Sequence, residues 1–214
     1  MRQQALDASR SALKKVMERL VEKGRVKVDE AKAIQNRFTY ATEINAFADC
    51  GLVIEAVIED LAIKKQLFEQ LGSTVGPNAI LATNTSSLSV TSIAAACKLP
   101  ERVIGLHFFN PAPLLPLVEV VPGLATHEQH TKACVALMKA WGKTPVIAKD
   151  TPGFIVNRVA RPFYGEALRI HEEGIADMAT IDHAMKTVGG FKMGPFELMD
   201  LIGNDINFAV TSSV

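Results

Sequence analysis

Short apolar runs separated by helix-patterned stretches constrain this chain more than any other feature. Gly51-Leu52-Val53-Ile54-Glu55-Ala56-Val57 and Ala79-Ile80-Leu81-Ala82-Thr83 read as buried strands, with a helical pattern from about 60 to 75 between them. Further strands are expected over 102–109, 117–121 and 144–148, and a helix over 127–141. Strands alternating with helices imply βαβ units, hence a doubly wound, mostly parallel sheet with helices on both faces. Beyond Asp150-Thr151-Pro152-Gly153 only helical patterning continues, over 155–173, over 180–188 and from Phe196 onward. The sequence therefore predicts an α/β domain over 1–150 and an all-helical C-terminal domain over 151–214.

The two ends fit that scheme less well. From Arg2 to Lys23, Leu6, Leu13, Val16, Met17, Leu20 and Val21 form one helical stripe, with Gly24 at the expected C-terminal cap. Asp29, ahead of Ala31, Ala33 and Ile34, reads as the N-cap of a second short helix. A doubly wound domain that binds a dinucleotide opens instead on a strand, a glycine-rich turn and a helix, and no G-x-G-x-x-G occurs in the 214 residues. The apolar pattern begun over 205–210 is left uncompleted by Ser212-Ser213-Val214. Both ends read as cut, and the sheet as partial.

Charge and cysteine usage exclude several classes. Lys plus Arg and Asp plus Glu both total 23, giving a formal net charge of zero, so the basic excess that advertises nucleic-acid binding is missing. Cys50, Cys97 and Cys134 are widely spaced and odd in number, which predicts free thiols rather than disulfides or a zinc site. His127-Glu128-Gln129-His130 lacks the spacing that puts two metal ligands on one helical face, so no metal is expected. His171 and His183 read as surface residues, and Met178, Met185, Met193 and Met199 as helical core. No signal-peptide pattern follows Met1, and no apolar run approaches the roughly twenty residues of a membrane span. A cytoplasmic protein is predicted.

Chemistry concentrates where strands end. His107, in Gly105-Leu106-His107-Phe108-Phe109-Asn110-Pro111, closes a strand at the edge where open α/β sheets bind ligands. Alone it would read as a satisfied core histidine. Glu119, in Leu117-Val118-Glu119-Val120-Val121, changes the odds, because a carboxylate in an apolar strand should not be buried without a partner. If the two strands are neighbours, Glu119 can accept the Nδ1 proton of His107 and orient it as an acid/base; a structural ion pair or a partly exposed edge-strand glutamate is the alternative. Thr83-Asn84-Thr85-Ser86-Ser87-Leu88-Ser89 follows a buried strand at the ligand-facing edge, but taken alone it reads first as a helix cap. Asn157 and Arg158, early in the helix after Thr151-Pro152-Gly153, are placed to face a cleft, although a solvated helix face would account for Arg158.

Taken in order, these motifs resemble the L-3-hydroxyacyl-CoA dehydrogenases. The likeness is carried by Leu106-His107-Phe108-Phe109-Asn110-Pro111, Leu117-Val118-Glu119-Val120 and Asp150-Thr151-Pro152-Gly153-Phe154-Ile155-Val156-Asn157-Arg158. Val53-Ile54-Glu55-Ala56-Val57, Asn84-Thr85-Ser86-Ser87-Leu88 and Met193-Gly194-Pro195-Phe196-Glu197-Leu198-Met199-Asp200 add to it, so it runs over nearly the whole chain. The ending 201–210 is similar to the branch used in phenylacetate breakdown. The resemblance implies a Rossmann-like fold, NAD as cofactor and an acyl-CoA thioester, fatty or dicarboxylic, as substrate. It implies that His107 exchanges the 3-hydroxyl proton, that Glu119 supports it, and that Ser86 and Asn157 position the reacting oxygen. Glu59, Lys64, Ser86 and Asn110 match positions that approach the cofactor. Lys14, Lys15 or Lys23 would meet the CoA phosphates, and a homodimer is implied for the full-length protein. Because the glycine-rich turn is missing, little turnover is expected from these residues alone. The competing reading is a non-catalytic acyl-CoA-binding or crystallin-like relative; a dehydrogenase of free 3-hydroxy acids is a weaker third.

Overall fold

A computed structural model describes residues 3–214, and these form two compact units, 3–50 with 74–76 and 51–73 with 77–214. Arg2, where the first periodic segment begins, lies outside the described residues, as does Met1. The first unit holds α1 (Gln3–Glu22) and α2 (Val28–Asn36), followed by a 3-10 turn at Ile44–Phe47. The expected Asp29 cap is corrected here. Lys27 occupies the N-cap position without a side-chain bond, and Asp29 sits inside the first turn, where a carboxylate still suits the positive end of the helix.

The second unit is built on strands β1 (Leu52–Glu55), β2 (Ile80–Thr83), β3 (Val103–Phe108), β4 (Leu117–Pro122) and β5 (Thr144–Ile147), hydrogen-bonded in that order. Helices α3 (Leu61–Thr74), α4 (Val90–Ala94) and α5 (Glu128–Ala140) connect them, and α6 (Val156–Glu172), α7 (Met178–Thr187), α8 (Pro195–Ile202) and α9 (Asn204–Ser213) follow. β1, β2 and β3 run parallel, and β4 and β5 are parallel to each other. The β3–β4 pair is antiparallel, with His107 directly opposite Glu119. That reversal brings the start of β4 to the same sheet edge as the carboxyl ends of β1 to β3.

Strand alternation then sorts the side chains. Leu106, Val118 and Val120 join Ala82, Ile104, Cys134 and Met138 in a core that includes the inner face of α5. The residues between them, Gly105, His107, Glu119 and Val121, face the opposite side. There Val121 packs with Val90, Ala148 and Phe154. Gly105 is small for a reason: a Cβ on it would lie 2.9 Å from both Val121 and Val90. Tyr164, Ala167, Ile181, Phe196 and Met199 form a further core among the C-terminal helices.

Several smaller expectations are revised. His171 is half-buried rather than a surface residue, with its ring edge-on to Phe196 at 6.0 Å, and Met178 is exposed rather than core. Cys97 and Cys134 are buried free thiols, each pushed up to about 11 by burial, whereas Cys50 is half-buried. No described helix is long and apolar enough to cross a membrane.

Candidate active site

The site starts from the register pair on β3 and β4. His107 Nδ1 donates to Glu119 Oε2 across 2.7 Å, and Glu119 is 1% exposed. Glu119 Oε1 accepts the backbone N–H groups of Ile155 at 2.9 Å and Val156 at 3.0 Å. Those amides open α6, whose N-cap residue, Ile155, offers no side-chain cap, so Glu119 supplies from β4 what the local sequence does not. Burial pushes the Glu119 carboxyl upward. The His107 ring and the two amides outweigh it and hold the group below its usual range.

An ionised Glu119 has only acceptors, so the proton of a neutral His107 must sit on Nδ1, leaving Nε2 with its lone pair. No hydrogen bond reaches Nε2 among the described residues. The ring is fixed from the sides as well, by Phe109 at 4.5 Å and Phe154 at 5.8 Å between centroids. Phe154 is buried and adopts a left-handed φ of 46°, unusual for a bulky residue, directly before the two amides that hold Glu119.

Asn157 and Ser86 meet nearby: Asn157 Nδ2 donates to the Ser86 carbonyl at 3.2 Å, leaving the Asn157 amide oxygen open to a ligand, while the Ser86 hydroxyl donates to Glu59 Oε1 at 3.4 Å and keeps its acceptor lone pairs. The loop holding Ser86 is pinned by Glu59, whose Oε1 accepts the Thr85 hydroxyl and the amides of Ser86 at 2.9 Å and Ser87 at 3.2 Å. Burial acts to raise the Glu59 carboxyl, but Thr85, the Ser86 amide and Lys64 together draw it down. Lys64 lies deeper, 1% exposed. Its ammonium binds Glu55 at 2.7 Å and Glu59 at 3.3 Å, while Glu55 also accepts the Thr83 hydroxyl at 2.7 Å. Thus buried Lys64 and exposed Glu59 form an ion-paired network beneath the Ser86 loop, with Lys64 fully committed to protein partners. Asn110 is exposed on the β3–β4 connection, and Arg158 is exposed on α6.

Asn84, Asp150 and Glu55 lie in the motifs quoted above, but spacing did not assign their roles. Asn84 Oδ1 accepts the Phe108 amide at 2.8 Å, tying the end of β2 to the end of β3 beside His107. Asp150 accepts the amides of Val90 at 2.8 Å and Thr91 at 2.7 Å and the Ser89 hydroxyl at 3.0 Å, anchoring the loop after Ser86 to the end of the sheet. Ser89 itself caps α4 through Ser92 N, which is the helix-cap reading of that cluster. Glu55, between apolar neighbours in β1, carried the same signal as Glu119: a carboxylate in a buried strand. Among the described residues no group of three or more His, Cys, Asp or Glu could hold a metal ion.

The chain is similar to known proteins over its whole length. Residues 1–151 match the family model described as 3-hydroxyacyl-CoA dehydrogenase, NAD binding domain, and residues 153–214 the one described as 3-hydroxyacyl-CoA dehydrogenase, C-terminal domain. The chain is 53% identical over 194 residues to 3-hydroxyadipyl-CoA dehydrogenase of Escherichia coli (strain K12), covering 91% of this chain and 41% of that protein. It is 40% identical over 209 residues to probable 3-hydroxybutyryl-CoA dehydrogenase of Deinococcus radiodurans, covering 98% of this chain and 75% of the other. The crystal structure of 3-hydroxybutyryl-CoA dehydrogenase from Escherichia coli K12 superposes with a TM-score of 0.97 at 48% identity, over 99% of this chain and 45% of that one. The chain therefore spans less than half the length of the first relative and three-quarters of the second. With both family models matched, over 1–151 and 153–214, the chain belongs to the 3-hydroxyacyl-CoA dehydrogenase family.

Proposed function

We propose that this protein works as an NAD-dependent L-3-hydroxyacyl-CoA dehydrogenase. The observation that carries the reading is His107 held at 2.7 Å by a buried carboxylate, with Nε2 left without a protein partner. In oxidation, Nε2 takes the proton of the 3-hydroxyl as the C3–H bond gives up its hydride and the C3–O bond becomes a carbonyl. In reduction, His107 returns that proton to the oxygen. Glu119 keeps the ring in one tautomer and offsets its positive charge while the proton is held. Ser86 and Asn157 hydrogen-bond the reacting oxygen and orient the substrate beside His107.

NAD supplies the hydride acceptor when bound. Its nicotinamide end suits the exposed amide of Asn110, the Asn157 carboxamide and the Ser86 hydroxyl, with Glu59 and Lys64 fixing the loop they stand on. The glycine-rich turn that holds a dinucleotide's pyrophosphate is not among the 214 residues, and no phosphate contact is assigned. The substrate is a fatty or dicarboxylic acyl thioester of CoA, in keeping with the adipyl and butyryl substrates in the relatives' names. A division of labour at about residue 150 is proposed, with 1–150 serving the cofactor and 151–214 the substrate and a homodimer. It is supported by the absence of described strands after Ile147 and by the change of family model at 151–153. Action in the cytoplasm, in fatty acid or phenylacetate breakdown, completes the reading.

The test is consumption of NADH with acetoacetyl-CoA. The reading predicts turnover that falls by roughly 10²–10⁴-fold in His107→Ala. Turnover, however slow, that is indifferent to His107→Ala would contradict the role given to His107, and binding of both acyl-CoA and NADH with no turnover would favour the non-catalytic relative instead.

A further inference from the structure

One apolar surface near the dyad is not used by the reaction chemistry. A groove of about 600 Å³ runs between α6 and the Phe191–Met193 turn that precedes α8. It begins at Ile155 and Val156, the residues whose amides hold Glu119, and continues along α6 to Phe163. At a rise of about 1.5 Å per residue this is roughly 12 Å of helix. Val159 and Phe191, 71% and 49% exposed, leave its apolar walls open.

One charged residue stands in this lining, Lys192. Its ammonium has no ion pair or hydrogen bond among the described residues. The carboxylates close to it in sequence are already engaged. Glu197 pairs with Lys186 and accepts the Gly194 amide, and both oxygens of Asp182 accept amides of α8. An unpaired cation on apolar surface complements a ligand that is apolar along its length and anionic at its far end. Lys192 is itself exposed, so its attraction for an anion is screened by salt.

We propose that this groove receives the acyl chain beyond C3 and that Lys192 selects a terminal carboxylate on it, making dicarboxylic acyl thioesters the favoured substrates. The assignment rests on the acyl-CoA reading above and adds its substrate class. Calorimetric titration of the chain with adipyl-CoA and hexanoyl-CoA, which differ in the terminal group, tests it without requiring turnover. The expected result is a preference for adipyl-CoA of about tenfold, of the order a charge-assisted contact provides. It should weaken as salt is raised, disappear in Lys192→Met and be retained in Lys192→Arg. A preference absent from the unaltered chain, or unmoved by Lys192→Met, overturns the assignment while leaving the acyl-CoA reading in place. Equal weakening of both ligands would make Lys192 a contact to the shared CoA phosphates and overturn it too. Failure of both thioesters to bind contradicts the acyl-CoA reading itself.

Discussion

Two buried carboxylates, Glu119 on β4 and Asp182 on α7, reach across to the first turn of a helix whose N-cap residue, Ile155 or Gly194, supplies no side-chain cap. Asp182 spends one oxygen on the Phe196 amide and the other on the Glu197 amide, each at 2.9 Å, at the start of α8. It sits so close that a Cβ on Gly194 would fall 2.3 Å from its Oδ1. Glu119 takes both α6 amides on Oε1 and keeps Oε2 for His107. The difference is how the acceptors are distributed. Where both oxygens serve the backbone, the carboxylate is a clamp between two helices. Where one is spared and an imidazole stands opposite in the register, the same clamp sets a proton's position on a reactive ring.

The largest expected effect separates the two directly. In Glu119→Gln a side-chain amide of nearly the same shape remains, but its NH2 group can face Nδ1 and turn that nitrogen into an acceptor. The ring proton then moves to Nε2, and turnover should fall by roughly 10²–10⁴-fold. Asp182→Asn should stay within a fewfold of the parent rate. Similar losses in both variants would break the distinction.

Stability should show the two carboxylates as alike. Asp182→Ala strands two amides at a helix start and should cost about 1–3 kcal/mol in denaturant unfolding. Glu119→Ala should cost at least as much, because His107 also loses its partner. A Glu119→Ala variant as stable as the parent would mean that α6 does not depend on its remote cap.

A smaller effect concerns pH. Glu119 is held lower in the folded chain than in the unfolded one. Its stabilising contribution is therefore complete above the ordinary carboxylate pKa of about 4.3 and is lost as pH falls through the lowered folded value. The stability gap between the parent and Glu119→Gln should shrink as unfolding is repeated from neutral pH down to below about 4. A gap that widens on acidification would contradict the sign.

The sequence exposed the components of the site more readily than their supports. Glu119 was legible because a carboxylate between Val118 and Val120 needs a partner, and His107 because it closes a strand at the ligand edge. Their meeting depends on β4 reversing against β3, which side-chain alternation cannot specify. Alternation marks faces and leaves strand direction open. Asn84, Asp150 and Asp182 were hidden for a related reason: each serves amides 14 or more positions away, so no local spacing announces it. Asp29 shows the opposite error, a local signature whose residue does not perform the capping. Helix α4, five residues long, is too short to display a helical period, and α9 begins in a pattern that ends with the chain.

The position of the proton on His107 tests the central claim most directly. Nitrogen-15 NMR of the imidazole distinguishes the two neutral tautomers without cofactor or substrate. The account predicts that the neutral ring of the parent chain carries its proton on Nδ1, and that in Glu119→Gln it moves to Nε2. A parent ring protonated at Nε2, or one whose tautomer is the same with glutamate and with glutamine at position 119, would contradict it.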